Sequence, residues 1–136
     1  MISEPKHGWS TFKLGDFEGT PSYLTDVPLD LLDAFLDYHY KGIGMAWFDE
    51  EGTEFTLVIN PYSLFIIAER DENTTLYDFS ELNVGDLEKE LIEDIEKNLN
   101  GWSEFLTTDD REEMMQHRND IRQRIAKLRE HIKENR

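Results

Sequence analysis

The groups in this chain that could do chemistry are four imidazoles (His7, His39, His117, His131) and 30 Asp/Glu carboxylates, with no thiol at all. A zinc or iron centre wants imidazoles close to one another and to carboxylates. Asp37 and His39 are two positions apart, so on a helix they point away from each other. His117 and His131 share a helical face, but the helical rise separates them by about 21 Å. No metal and no cofactor is therefore expected. So many carboxylates make chance pairs unavoidable, and a pair read from sequence says nothing about acid–base catalysis.

Named motifs are equally scarce. Asp71-Glu72-Asn73-Thr74 opens like a calcium loop, but Leu76 stands where that loop needs its glycine and Leu82 where it needs its final glutamate. Asp49-Glu50-Glu51-Gly52 reads as an acidic turn. Gly42-Ile43-Gly44 lacks the third glycine of a dinucleotide loop and follows a helix instead of a strand. Phosphate-loop, nucleophile-elbow and His-Glu-x-x-His patterns are absent. With no Cys, there is no disulfide, thiolate ligand or cysteine nucleophile. No catalytic residue is assigned.

What remains is charge. The net charge is −16, and it is uneven: residues 111–136 hold eight Lys/Arg against five Asp/Glu, whereas residues 1–110 hold six against 25. Such a surface disfavours nucleic acid and anionic membrane and favours a basic protein partner. Asp30, Asp33 and Asp37 recur at spacings of three and four, which places them on one helical stripe, where like charges cost a few tenths of a kcal/mol per pair. That strip, with Tyr38 and Tyr40 as aromatic anchors, is the expected partner-binding surface.

These residues must be carried by a scaffold. Residues 8–14 read as a strand ending at Gly15-Asp16, with a second short strand near Phe17. Thr25-Asp26-Val27-Pro28 starts a helix over about 28–40, which Gly42 stops. Residues 44–79 read as a β-meander. Phe55, Leu57 and Ile59 alternate, while Leu64 to Ala68 is apolar at every position. Such a run predicts a central strand covered on both sides, by helices or by a second copy. Val84, Leu87, Leu91, Ile95, Leu99, Trp102 and Leu106 step along an acidic helix of about 84–106 that Gly101 could interrupt. Asp109, with Glu112, is the expected cap of the last helix, and Thr107–Asp110 the expected hinge. Met114, Ile121, Ile125, Leu128 and Ile132 form a narrow stripe with Arg118 in the missing step. It pairs either within the chain or with a second copy.

The expectation is one α+β domain over 1–136. It comprises an antiparallel meander of about five strands, one helix before the central strands, and two C-terminal helices packed as an αα-hairpin. Residues 1–106 form the acidic body and 109–134 the mildly basic helix. The first eight residues lack a signal-peptide core, and no apolar run nears the roughly 20 residues of a membrane span, so the cytoplasm is the expected location. The expected function is a non-enzymatic acidic module that docks on and neutralises a basic protein, as an immunity protein or antitoxin does to a nuclease-type toxin. The alternative is a structural or regulatory homo-oligomer joined through the last helix.

Overall fold

The structure is a computed structural model that describes residues 1–105 and 109–134. It is α+β. Strands β1 (Phe12–Leu14) and β2 (Phe17–Gly19) form a separate antiparallel hairpin. Helix α1 (Val27–Lys41) precedes a four-stranded antiparallel sheet of β3 (Gly44–Asp49), β4 (Glu54–Asn60), β5 (Ser63–Arg70) and β6 (Asn73–Asp78), in that spatial order. Helices α2 (Val84–Lys97), α3 (Leu99–Ser103) and α4 (Arg111–Glu134) complete the chain. No helix among the described residues is long and apolar enough to cross a membrane.

Local chemistry sets the ends of α1. Asp26 Oδ1 accepts the Leu29 N–H at 3.4 Å, Pro28 sits in the first turn, and Gly42 adopts φ 84° while donating to the Tyr38 carbonyl. A left-handed residue there lets the chain reverse into β3. The meander follows the expected alternation: Ala46, Phe48, Phe55, Leu57, Ile59, Leu64, Ile66 and Ala68 are all buried on one face. α1 packs on that face, chiefly over β3.

Four expectations need correction. The sheet has four strands, not about five. Trp9 makes only isolated bridges to Lys6 and Ser22, and the β1–β2 hairpin caps the core instead of extending the sheet. Aromatic packing explains this: Phe12 lies tilted and Phe17 edge-on against Phe55, with centroids 5.2 and 5.0 Å away, so burying them outweighs pairing with a strand edge. The acidic helix breaks at Asn98 (φ −128°) and not at Gly101, and the short α3 that follows buries Trp102 completely. The last two long helices are not a self-contained hairpin. α4 runs mainly along α1 and α3 and touches α2 less, with Arg129 paired to Glu96. The cap of α4 is Asp110, which accepts from the Glu112 and Glu113 N–H groups, instead of Asp109. Leu106, Thr107 and Thr108, expected at the helix end and hinge, lie outside the described residues.

Candidate interaction surface

The α1 stripe is engaged with its own chain. Arg124 of α4 reaches Asp33 at 2.9 Å, and Lys41 sits 3.5 Å from Asp37. Asp30 is half-buried, and burial, followed by the charges of Asp26 and Asp33, pushes its carboxyl up to about 6. Tyr38 packs against the core, and Tyr40 is 63% exposed with its ring edge-on to His131. Of the apolar seam on α4, Ile121, Ile125 and Leu128 are buried in the chain's own core and have no surface left for a second copy. Met114 and Ile132 are half-buried.

The state of Asp30 has a measurable consequence. Its raised pKa means that folding favours the neutral form. The advantage is complete below the unfolded value of 3.8 and is lost as pH rises through about 6. Asp30→Asn is therefore expected to stabilise the protein at neutral pH by about 1 kcal/mol, after discounting for solvent screening. Urea denaturation should show that gain at neutral pH and its disappearance below the unfolded carboxyl value.

His117 takes its partners from distant stretches of the chain, so no sequence spacing marks its surroundings. Its Nδ1 lies 3.0 Å from the Ser103 carbonyl and its Nε2 lies 2.8 Å from Asp26 Oδ2. A carbonyl and a carboxylate both accept, so the surroundings favour the imidazolium, with a proton on each ring nitrogen. Burial opposes the charge, but the Asp26 hydrogen bond and charge outweigh it, and the pKa is raised above 6.5. The cation ties α4 to the cap of α1 and to α3. Its contribution is fully present below 6.5 and disappears as pH rises through the folded value. Denaturation midpoints should fall more steeply as pH rises above 6.5 in the native chain than in His117→Asn.

A second cluster joins α1, α2 and α4. Glu88 is 2% exposed and places both oxygens within 3.0 Å of His39 Nε2, while the His131 ring stacks on His39 at 4.7 Å. Burial raises the Glu88 pKa against the opposing pull of His39. The cleft beside it is lined by Tyr38, Asn83, Asp86 and Lys89, with no Ser, Thr or Cys to act as a nucleophile beside the dyad. The cluster links three helices. No group of three His, Cys, Asp or Glu among the described residues is arranged to hold a metal. No sequence spacing links positions 39, 88 and 131, so this cluster was invisible before folding.

The larger surprise is the other side of the sheet. The double-sided apolar run of β5 predicted cover on both faces, but the helices take only one. Register places Met45, Val58 and Phe65 in one row of the open face, and Trp47, Thr56, Ile67 and Leu76 in the next. Met45, Trp47 and Leu76 are 60%, 45% and 61% exposed. The next row is Asp49, Glu54, Glu69 and Thr74, three carboxylates in register across three strands. Hydrogen bonding to Glu54, and then its charge, raises the Glu69 pKa. Like charges directly opposite in a sheet are unfavourable, so this row is a cost to the fold. Between residues 44 and 78 there are eight Asp/Glu and one Lys/Arg. That one, Arg70, lies on the other face over the Phe17 ring and is paired with Glu50. The open face thus combines exposed apolar side chains with a row of carboxylates and carries no Lys or Arg at its own strand positions. Comparison with protein-family models, curated proteins and solved structures finds no match for this chain.

Proposed function

We propose that this chain is a non-enzymatic acidic binding module that docks on a basic protein and neutralises it, in the manner of an immunity protein or antitoxin facing a nuclease-type toxin. One observation carries the reading: the apolar face of Met45, Trp47, Phe65, Ile67 and Leu76 is bordered by the in-register carboxylates Asp49, Glu54 and Glu69, with no Lys or Arg at its own strand positions. Apolar side chains supply affinity once water is excluded, and the carboxylate row steers a cationic surface and sets its orientation. A basic partner would also relieve the repulsion within that row. The Asp30, Asp33, Asp37, Tyr38 and Tyr40 surface contributes its charge to the long-range field, with Tyr40 the most accessible of the five.

The test is co-expression with a toxic basic protein encoded beside this chain, together with a salt titration of their complex. Neutralisation is expected, and affinity should fall about tenfold or more between about 50 and about 500 mM salt, because screening removes the steering field. An affinity indifferent to salt, or a partner with no positive surface, rejects the reading.

A further inference from the structure

The sheet ends on β6, and its outer edge is open. A two-residue turn joins Arg70 to Asn73, so that pair closes the hairpin with mutual hydrogen bonds, as do Ala68 with Thr75 and Ile66 with Tyr77. The alternation continues past the strand, where Phe79 N–H donates to the Leu64 carbonyl at 2.7 Å. The N–H and C=O groups of Thr74, Leu76 and Asp78 therefore face away from β5. No backbone group among the described residues pairs with them. The opposite edge is treated differently, since Ser22 N–H donates to the Asp49 carbonyl at the end of β3.

Proteins usually protect such an edge with proline, lysine, a bulge or a covering loop. β6 reads Asn-Thr-Thr-Leu-Tyr-Asp and pairs with β5 without a bulge. All but Tyr77 are exposed. Its unpaired groups belong to the same residues, Thr74, Leu76 and Asp78, whose side chains stand on the open face. A strand added here would align alternate side chains beside Leu76 and enlarge that face.

The geometry points to β6 as the acceptor for an extended segment of the basic partner, with apolar residues at alternate positions and Lys or Arg between them. This rests on the binding function proposed above and specifies how the partner is held. Charge selects the occupant. Asp71 and Glu72 flank one end of the edge, and Asp78 and Glu81 the other. The β6 strand of a second copy, running antiparallel, would bring the first acidic end of one chain against the second acidic end of the other. Main-chain hydrogen bonds would hold the partner strand in register, and the flanking carboxylates would select a cationic sequence.

A short acetylated peptide of alternating Val and Lys is the probe. On its addition, amide exchange at Thr74, Leu76 and Asp78 should slow by about tenfold or more, while Thr75 and Tyr77, already bonded to β5, change little. The same peptide N-methylated at alternate residues should bind about tenfold or more weaker, because it cannot donate to the edge. Thr74→Pro, which removes an outward N–H, should likewise abolish binding, with circular dichroism reporting the fold. If that variant unfolds, the methylated peptide asks the same question from the ligand side. Equal binding of the methylated peptide, or binding without protection of the three amides, overturns the edge assignment even if cationic binding survives. Equal protection by a Val–Glu peptide overturns the cationic occupant and with it the basic-partner reading. Protection in the protein alone that grows with concentration assigns the edge to a second copy and overturns the proposal.

Discussion

Gly44→Ala is expected to destabilise the protein by about 3 kcal/mol or more and to lower Tm by roughly 10 °C. A Cβ on Gly44 would stand 1.7 Å from the Ala34 carbonyl oxygen and 2.6 Å from its carbon. Both obstacles are backbone, so no side-chain rotation relieves the overlap. Either α1 lifts from β3 or β3 shifts in the sheet, and each movement opens the core that Phe35, Ala46, Phe48 and Leu57 fill. Gly42→Ala supplies the control. Its added methyl would meet nothing within 4 Å, and only the left-handed φ of 84° is strained, a penalty of about 1 kcal/mol. Thermal and urea denaturation of both variants decides the matter. A Gly44→Ala protein no weaker than Gly42→Ala would mean that α1 does not rest on β3 backbone to backbone.

The second large effect concerns binding. Replacing Trp47 and Leu76 together by serine should weaken the complex with the proposed basic partner by about 100-fold or more, because the exposed apolar side chains at both ends of one row are lost. Stability should change by less than about 1 kcal/mol, since both side chains stand substantially exposed in the free protein. Calorimetric titration gives the first quantity and urea denaturation the second. If affinity is unchanged, the open face is not the docking surface. If stability collapses, those side chains belong to the fold.

Much of the scaffold was readable before folding, because it depends on local chemistry. Asp26, Pro28 and Gly42 mark the ends of α1 through capping, ring geometry and left-handed φ, each a property of one or two residues. Alternation in 54–60 located β4 for the same reason. The strand Leu64 to Ala68 was legible as apolar on both sides, but periodicity reports what a strand offers and not what covers it. That is why the bare face could not be foreseen. The Asp30-Asp33-Asp37 spacing correctly put three carboxylates on α1, but not the arrival of Arg124 from 91 residues away at Asp33. Asp26 with His117, and Glu88 with His39, are likewise products of helix packing. The break at Asn98 was missed because a glycine nearby looked like the weaker link, whereas burial of Trp102 sets where the chain turns.

The greasy side of the sheet also has a bearing on handling the protein. A net charge of −16 is expected to hold such sides of two copies apart at neutral pH, so the charge proposed to attract a partner would also oppose self-association. That repulsion vanishes near the isoelectric point of about 4.5. Light scattering should therefore rise on acidification toward that value while helices and strands persist, and Trp47→Ser with Leu76→Ser should delay the clouding.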